Sequence, residues 1–141
     1  MTRINLIDVS KMTDQHLLAE YRELPRIVND WKKRYGDIKF YKAIPNKFCL
    51  GHGHVKFFRN KIKFLIQRYR LIVDELLKRN FAIKQTSIID NEVAHLLTID
   101  GNQITWKPSV EDITISQQRI TEKIKQKPEF YRFYSNRLLL V

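Results

Sequence analysis

From Leu17 to Tyr35 an apolar side chain returns every third or fourth position, as Leu17, Tyr21, Leu24, Val28, Trp31 and Tyr35. That spacing lays one stripe along an α-helix and commits the chain to packing it against another element. Thr13 or Asp14 stands where an N-cap belongs. Pro25 falls inside the stripe. It has no N–H for the carbonyl of Tyr21 and disfavours helical geometry at Leu24, so a kink or break is expected there. A second stripe, Phe58, Ile62, Leu65, Tyr69, Ile72 and Leu76, has Lys and Arg opposite it. It predicts another long helix, entered after the glycine turn of "GHGHV" and fading near Asn80. Pro108-Ser109-Val110-Glu111-Asp112 has the form of a capping box, and Ile113, Ile120 and Ile124 continue a third helix to about Gln126. "HLLTIDGNQITW" alternates loosely around Asp100-Gly101 and reads as a small β-hairpin, with a plain loop as the alternative.

The expected fold is therefore mainly α: a single compact domain over residues 1–141, with about three long helices, loops and one small β-hairpin. No repeat, low-complexity segment or linker divides it. Lys and Arg number 26 against 15 Asp and Glu, a formal charge of +11 that attracts polyanions, nucleic acid first. An anionic membrane is the lesser candidate, because no apolar run approaches the roughly 18–20 residues that span a bilayer, and no signal-peptide pattern opens the chain. A soluble, cytoplasmic, monomeric protein is expected. Cys49 is the only cysteine, which rules out an intramolecular disulfide; between Phe48 and Leu50 it reads as a small core residue.

On a helical wheel His16, Glu20, Glu23 and Arg26 fall away from the first apolar stripe, with Arg22 on its flank. A solvated helix surface has the same pattern. The chain's start adds a chemical argument. A neutral amine can attack C1′ of a deoxyribose, displace the base and leave a Schiff base, whereas a protonated amine cannot. An α-amine, with a reference pKa of about 7.7–8.0 against about 10.4 for lysine, offers far more free base at neutral pH. Cations such as Arg3 and Arg22 favour the neutral form further. Thr2 carries that amine only once Met1 is removed.

The quoted segments "MTRINL", "DQHLLAEYRELPR", "GHVKFFRNKIKFL", "ISQQRITEKI" and "FYRFY" together resemble the pyrimidine-dimer DNA glycosylase/AP lyases, the phage-type endonuclease V family. The likeness spans nearly the whole chain and is weakest over 28–47 and 83–106. The resemblance implies that Thr2, by its α-amine, is the nucleophile and Glu23 the catalytic carboxylate. It implies phosphate contacts around a kinked lesion from Arg3, Arg22 and Arg26, with Gln15 and His16 alongside, and further backbone contacts from Arg119 and Lys123. Tyr131 and Tyr134 are the preferred aromatic contacts, with packing of the last segment as their alternative role. The substrate implied is double-stranded DNA containing pyrimidine dimers or abasic sites, with no metal and no organic cofactor.

Two departures stand out. The family tail reads Trp-Tyr-Lys-Tyr-Tyr-Gly where this chain has Phe130-Tyr131-Arg132-Phe133-Tyr134-Ser135, and His52 replaces a small residue between two glycines. His52 and His54 form His-x-His, a pair without third or fourth ligands nearby and so weak as a metal motif; hydrogen bonds at a helix start are the plainer role. Physics independent of family agrees with base excision, since extruding a nucleotide requires a bent duplex and a covalently joined dimer already stacks poorly. The alternatives are a non-catalytic basic DNA-binding protein, a glycosylase/lyase for another base lesion and, least favoured, a metal-dependent nuclease.

Overall fold

A computed structural model of the chain describes residues 4–137. Thr13 caps the first helix, α1 (Asp14–Lys33), accepting the His16 N–H on its hydroxyl. Leu17, Leu24, Val28 and Trp31 of the predicted stripe are fully buried, Tyr21 is half-buried, and Tyr35 lies beyond the helix and is exposed. The helix is not broken at Pro25. A mid-helix proline costs about 3 kcal/mol. Burying Leu24, Ile27, Val28 and Trp31 beside it, at about 1.5–3 kcal/mol each, outweighs that cost.

The main partner of α1 is α4 (Ile62–Lys78), whose stripe Ile62, Leu65, Tyr69, Ile72 and Leu76 is buried as predicted. Between them in sequence lie two five-residue helices, α2 (Ile38–Lys42) and α3 (Gly53–Phe57). The second long helix was expected to run unbroken from the glycine turn. It is instead interrupted by a 3-10 turn at Phe58–Asn60, and Lys61 leaves helical geometry at φ −128° and ψ 40°. The freed backbone groups are taken up by a remote loop: Gln103 accepts the Ile62 N–H on Oε1 (2.8 Å) and donates from Nε2 to the Arg59 carbonyl (3.0 Å), while the Ile104 N–H reaches the Asn60 carbonyl (2.9 Å). At its far end α4 closes with Asn80 at φ 67°, where Phe81 N–H bonds Leu76 O and Asn80 N–H bonds Leu77 O, the two bonds of a Schellman cap.

The hairpin expected around Asp100-Gly101 is absent. In its place α5 (Asn91–Ile99) begins on an Asp90 cap and buries Val93 and Leu96, a helical spacing. Asp100 opens a tight turn, not a strand hairpin. Its buried carboxylate accepts from Trp31 Nε1, Tyr41 OH and Gln103 Nε2, each at 2.9 Å, and from the Asn102 N–H. Burial works to raise its pKa, but these donors outweigh burial and hold it below the ordinary carboxylate value.

The third long helix, α6 (Val110–Gln126), opens on the expected capping box between Ser109 and Asp112. Ile120 is buried and Ile124 half-buried, but Ile113 is exposed; the buried residue one turn on is Ser116, whose hydroxyl accepts the Leu6 N–H at 3.0 Å. A small hairpin does exist, in the tail: β1 (Arg132–Phe133) pairs antiparallel with β2 (Asn136–Arg137). The buried apolar side chains form one cluster. Cys49 sits at its margin, half-buried, with Sγ so close to Gly53 that a Cβ there would lie 2.7 Å away.

Glu20, read as part of a polar face, is fully buried. The N-terminal segment runs along the flank of the α1 stripe, and Asn5 donates to Glu20 Oε1 from both its backbone N–H and its side-chain amide. Arg68 of α4 grips the same carboxylate with two nitrogens, at 2.8 and 3.2 Å, and donates to the Ile7 carbonyl. Replacing Glu20 by Ala strands the buried guanidinium, so urea unfolding of Glu20→Ala should show a loss of about 3–5 kcal/mol.

Candidate functional site

The face of α1 that is not packed on α4 looks onto the end of α6 and the tail. Between them lies a cleft of about 420 Å³ lined by Asn5, Gln15, His16, Arg22, Arg119, Lys123, Phe130 and Tyr131, with Leu18 and Ala19 as its floor. A recess of about 220 Å³ adjoins it beside Lys123, Lys127 and Phe130. Six of the residues picked from sequence thus converge on one concavity: Gln15, His16, Arg22, Arg119, Lys123 and Tyr131. Their spacing explains the convergence, since Gln15, His16, Ala19 and Arg22 recur at helical intervals on α1, and Arg119 and Lys123 lie one turn apart on α6.

His16 is the best-defined member. Its ring stacks on Tyr131 at 4.7 Å between centroids and 5° between planes. The Thr13 hydroxyl already accepts the His16 amide, so its own proton is available to His16 Nδ1, 2.7 Å away. Which of the two atoms donates follows the tautomer of the ring. Burial, and after it the charges of Arg119 and Lys123, push the imidazole pKa down to about 4. His16 is a neutral donor at physiological pH, and the cleft's positive charge rests on its Arg and Lys side chains.

Arg22 is exposed at the rim. Glu23 follows it, one turn beyond Ala19, with its side chain 25% exposed and paired at 3.4 Å with Arg26, which is 75% exposed. These two stand beside the cleft and do not line it. Gln15 lines the cleft but has both ends of its amide engaged, donating to the Phe130 carbonyl (3.0 Å) and accepting the Arg132 N–H (2.7 Å). Tyr134 is not brought to the cleft. Its hydroxyl donates to Glu75 (2.9 Å), its N–H donates to Asp14 (3.1 Å), and its ring covers Arg79. Thr2 and Arg3 lie outside the described residues.

His54 has both ring nitrogens occupied, Nε2 accepting the Ile4 N–H (2.9 Å) and Nδ1 on the Cys49 carbonyl (2.8 Å). Among the described residues no group of three or more His, Cys, Asp or Glu is arranged to hold a metal, and no helix among them is long and apolar enough to cross a membrane. Sequence reasoning overlooked Asn5 as a lining residue and Asp14, Glu75 and Arg79 as the supports of the tail. Their partners are up to 121 residues distant, and no local pattern announces such pairs.

The helical fold and the cleft, cationic on two sides and walled by aromatic rings, define a protein built to hold a polyanion that carries planar groups. The family model for pyrimidine dimer DNA glycosylases matches residues 1–89, and the chain belongs to that family. It is a DNA repair glycosylase of the kind that acts on DNA containing pyrimidine dimers. The match includes α1 and the cleft residues on it; Arg119, Lys123 and the aromatic tail lie beyond it.

Two measurements probe this site. The imidazole signals of His16 should titrate near pH 4 by NMR, not near 6.5. Because the unfolded chain takes up this proton near the ordinary histidine value, stability attributable to His16 is complete above about pH 6.5 and declines as pH falls from there toward 4. Arg119→Ala and Lys123→Ala should each lower the salt dependence of DNA affinity by about one ion per contact removed, as read from the slope of log Kd against log salt.

Proposed function

We propose that the chain excises ultraviolet-induced cyclobutane pyrimidine dimers through an imine to its own amino terminus and then nicks the resulting abasic site. Once Met1 is removed, the Thr2 α-amine attacks C1′ of the damaged nucleotide, the C1′–N bond to the base breaks and the bound amine loses a proton; the C1′–O4′ bond then opens, its electron pair and a proton going to O4′, which leaves the iminium. The Glu23 carboxylate assists ring opening and removes a C2′ proton. The electron pair so released expels the 3′ phosphate, cleaving the strand by β-elimination. Arg3, Arg22, Arg26, Arg119 and Lys123 hold the bent backbone, and Tyr131 meets the exposed bases. Abasic duplex is a substrate in its own right, the protein acts as a single-domain monomer, and no step needs a metal or organic cofactor.

The observation that carries this reading is the tether of the N-terminal segment. Ile4 N–H is held by His54, Asn5 by Glu20, Leu6 by Ser116 and the Ile7 carbonyl by Arg68. Asn5, three residues after Thr2 in sequence, bonds Glu20, which precedes Glu23 by one helical turn, and this supports an amine and a carboxylate acting together.

Borohydride should trap a covalent adduct with dimer-containing and with abasic duplex, and mass analysis should find the link on the Thr2 nitrogen. EDTA should leave the rate unchanged. Glu23→Gln should slow nicking by about 100-fold or more, the scale of general acid–base assistance, while lesion affinity is retained. A link at any lysine, or full nicking by Glu23→Gln, would refute the assignment.

A further inference from the structure

Three consecutive residues in the first turn of α1 hold the aromatic tail. Asp14 accepts the backbone N–H groups of Tyr134 (3.1 Å) and Ser135 (2.6 Å). Gln15 bonds the backbone at Phe130 and Arg132. His16 stacks on Tyr131. We propose that Asp14 is a positioning residue for lesion recognition: with Arg79 and Glu75 it forms a buried charge clamp that sets where Tyr131 stands in the cleft. The clamp rests on the reading that the Tyr131 side of the cleft meets the damaged bases.

The tail cannot hold this shape by local preference. Its turn places Tyr134 at φ 53° and Ser135 at φ 63°, left-handed values that side chains other than glycine resist. In that conformation the two successive N–H groups point the same way, and the Asp14 carboxylate receives both. Asp14 is itself fixed by Arg79 Nη1 at 3.0 Å. Arg79 also donates to Glu75 (3.2 Å), and Glu75 accepts the Tyr134 hydroxyl. The guanidinium lies 4.7 Å from the Phe133 ring centroid and 4.6 Å from that of Tyr134, so the tail's own rings cover the charges that hold it. Asp14, Glu75 and Arg79 are all buried. None of the three lines the cleft. Beyond the clamp and the tail, Arg79 reaches the Val9 and Ser10 carbonyls, which do not line the cleft either.

The test uses the full chain and three variants, Asp14→Asn, Ser135→Gly and the two combined. Affinities for dimer-containing and undamaged duplex are measured by fluorescence anisotropy, alongside nicking of abasic duplex and the melting temperature. Asp14→Asn should reduce the preference for dimer over undamaged duplex about tenfold, the scale of one lost base–ring stack. Abasic nicking should fall much less, because the N-terminal tether is untouched. Ser135→Gly, which removes the resistance to a left-handed turn, should restore part of that preference when added to Asp14→Asn. An unchanged preference overturns the clamp, as does a loss of preference and nicking together in proportion to lost stability. If the wild-type chain nicks nothing, the amine mechanism fails, while the affinity ratio still decides the clamp.

Discussion

The bidentate pair between Glu20 of α1 and Arg68 of α4 is the interaction on which the rest of the site is built. Both side chains are withdrawn from water, and two charges removed from solvent are tolerated only when their remaining lone pairs and protons are also used. Here they are used by the chain's first described residues: Asn5 completes Glu20 Oε1, and the Ile7 carbonyl takes an Arg68 nitrogen. The polar requirement of the pair thereby becomes a fixed position for the N-terminal segment. An apolar replacement of similar volume would join the helices equally well but would leave that segment without its polar partners.

Eleven residues further on, at the C-cap of α4, Arg79 does the same for the aromatic tail. It links Asp14 and Glu75, and those carboxylates grip the tail hairpin. Two buried arginines, one in α4 and one at its C-cap, thus support the N-terminal segment and the tail where they meet α1, between residues 14 and 20. The cleft exists because these ends meet there. Neither end forms a long regular element that would fold against α1 by apolar periodicity.

This arrangement explains which features were legible in sequence. Periodicity of 3.6 revealed α1, α4 and α6, and the Ser109 box and the Asn80 stop marked their ends, because each depends on residues within a few positions of one another. The N-cap at Thr13 was legible for the same reason. What was hidden depends on distant partners. Glu20 looks like a solvated carboxylate until Asn5 and Arg68 are known to cover it. The interruption at Phe58–Lys61 carries no breaker residue, and it survives because Gln103 and Ile104 satisfy the backbone there. Asp100-Gly101 has turn chemistry, yet Trp31 and Tyr41 claim the aspartate, and Gly101 does not adopt the positive φ a two-residue hairpin turn would need. The hairpin that does form uses Tyr134 and Ser135, residues whose local preference argues against it. The site was legible mainly as composition on α1 and α6, and the supports behind it were not.

Holding the tail by charge has a consequence for the cleft. A ring buried in the core is well positioned but cannot meet a ligand, whereas an exposed ring is available but poorly positioned. Tyr131 is half-buried: one face stacks on His16, and Gln15 bonds the backbone on either side of it while Asp14 holds the turn that follows. His16 can serve as that platform because it is neutral. A protonated ring would repel Arg119 and Lys123 across the cleft, and burial, then their field, holds its pKa below the ordinary histidine value. The cleft therefore sets the cations of α6 beside an uncharged stack of two rings.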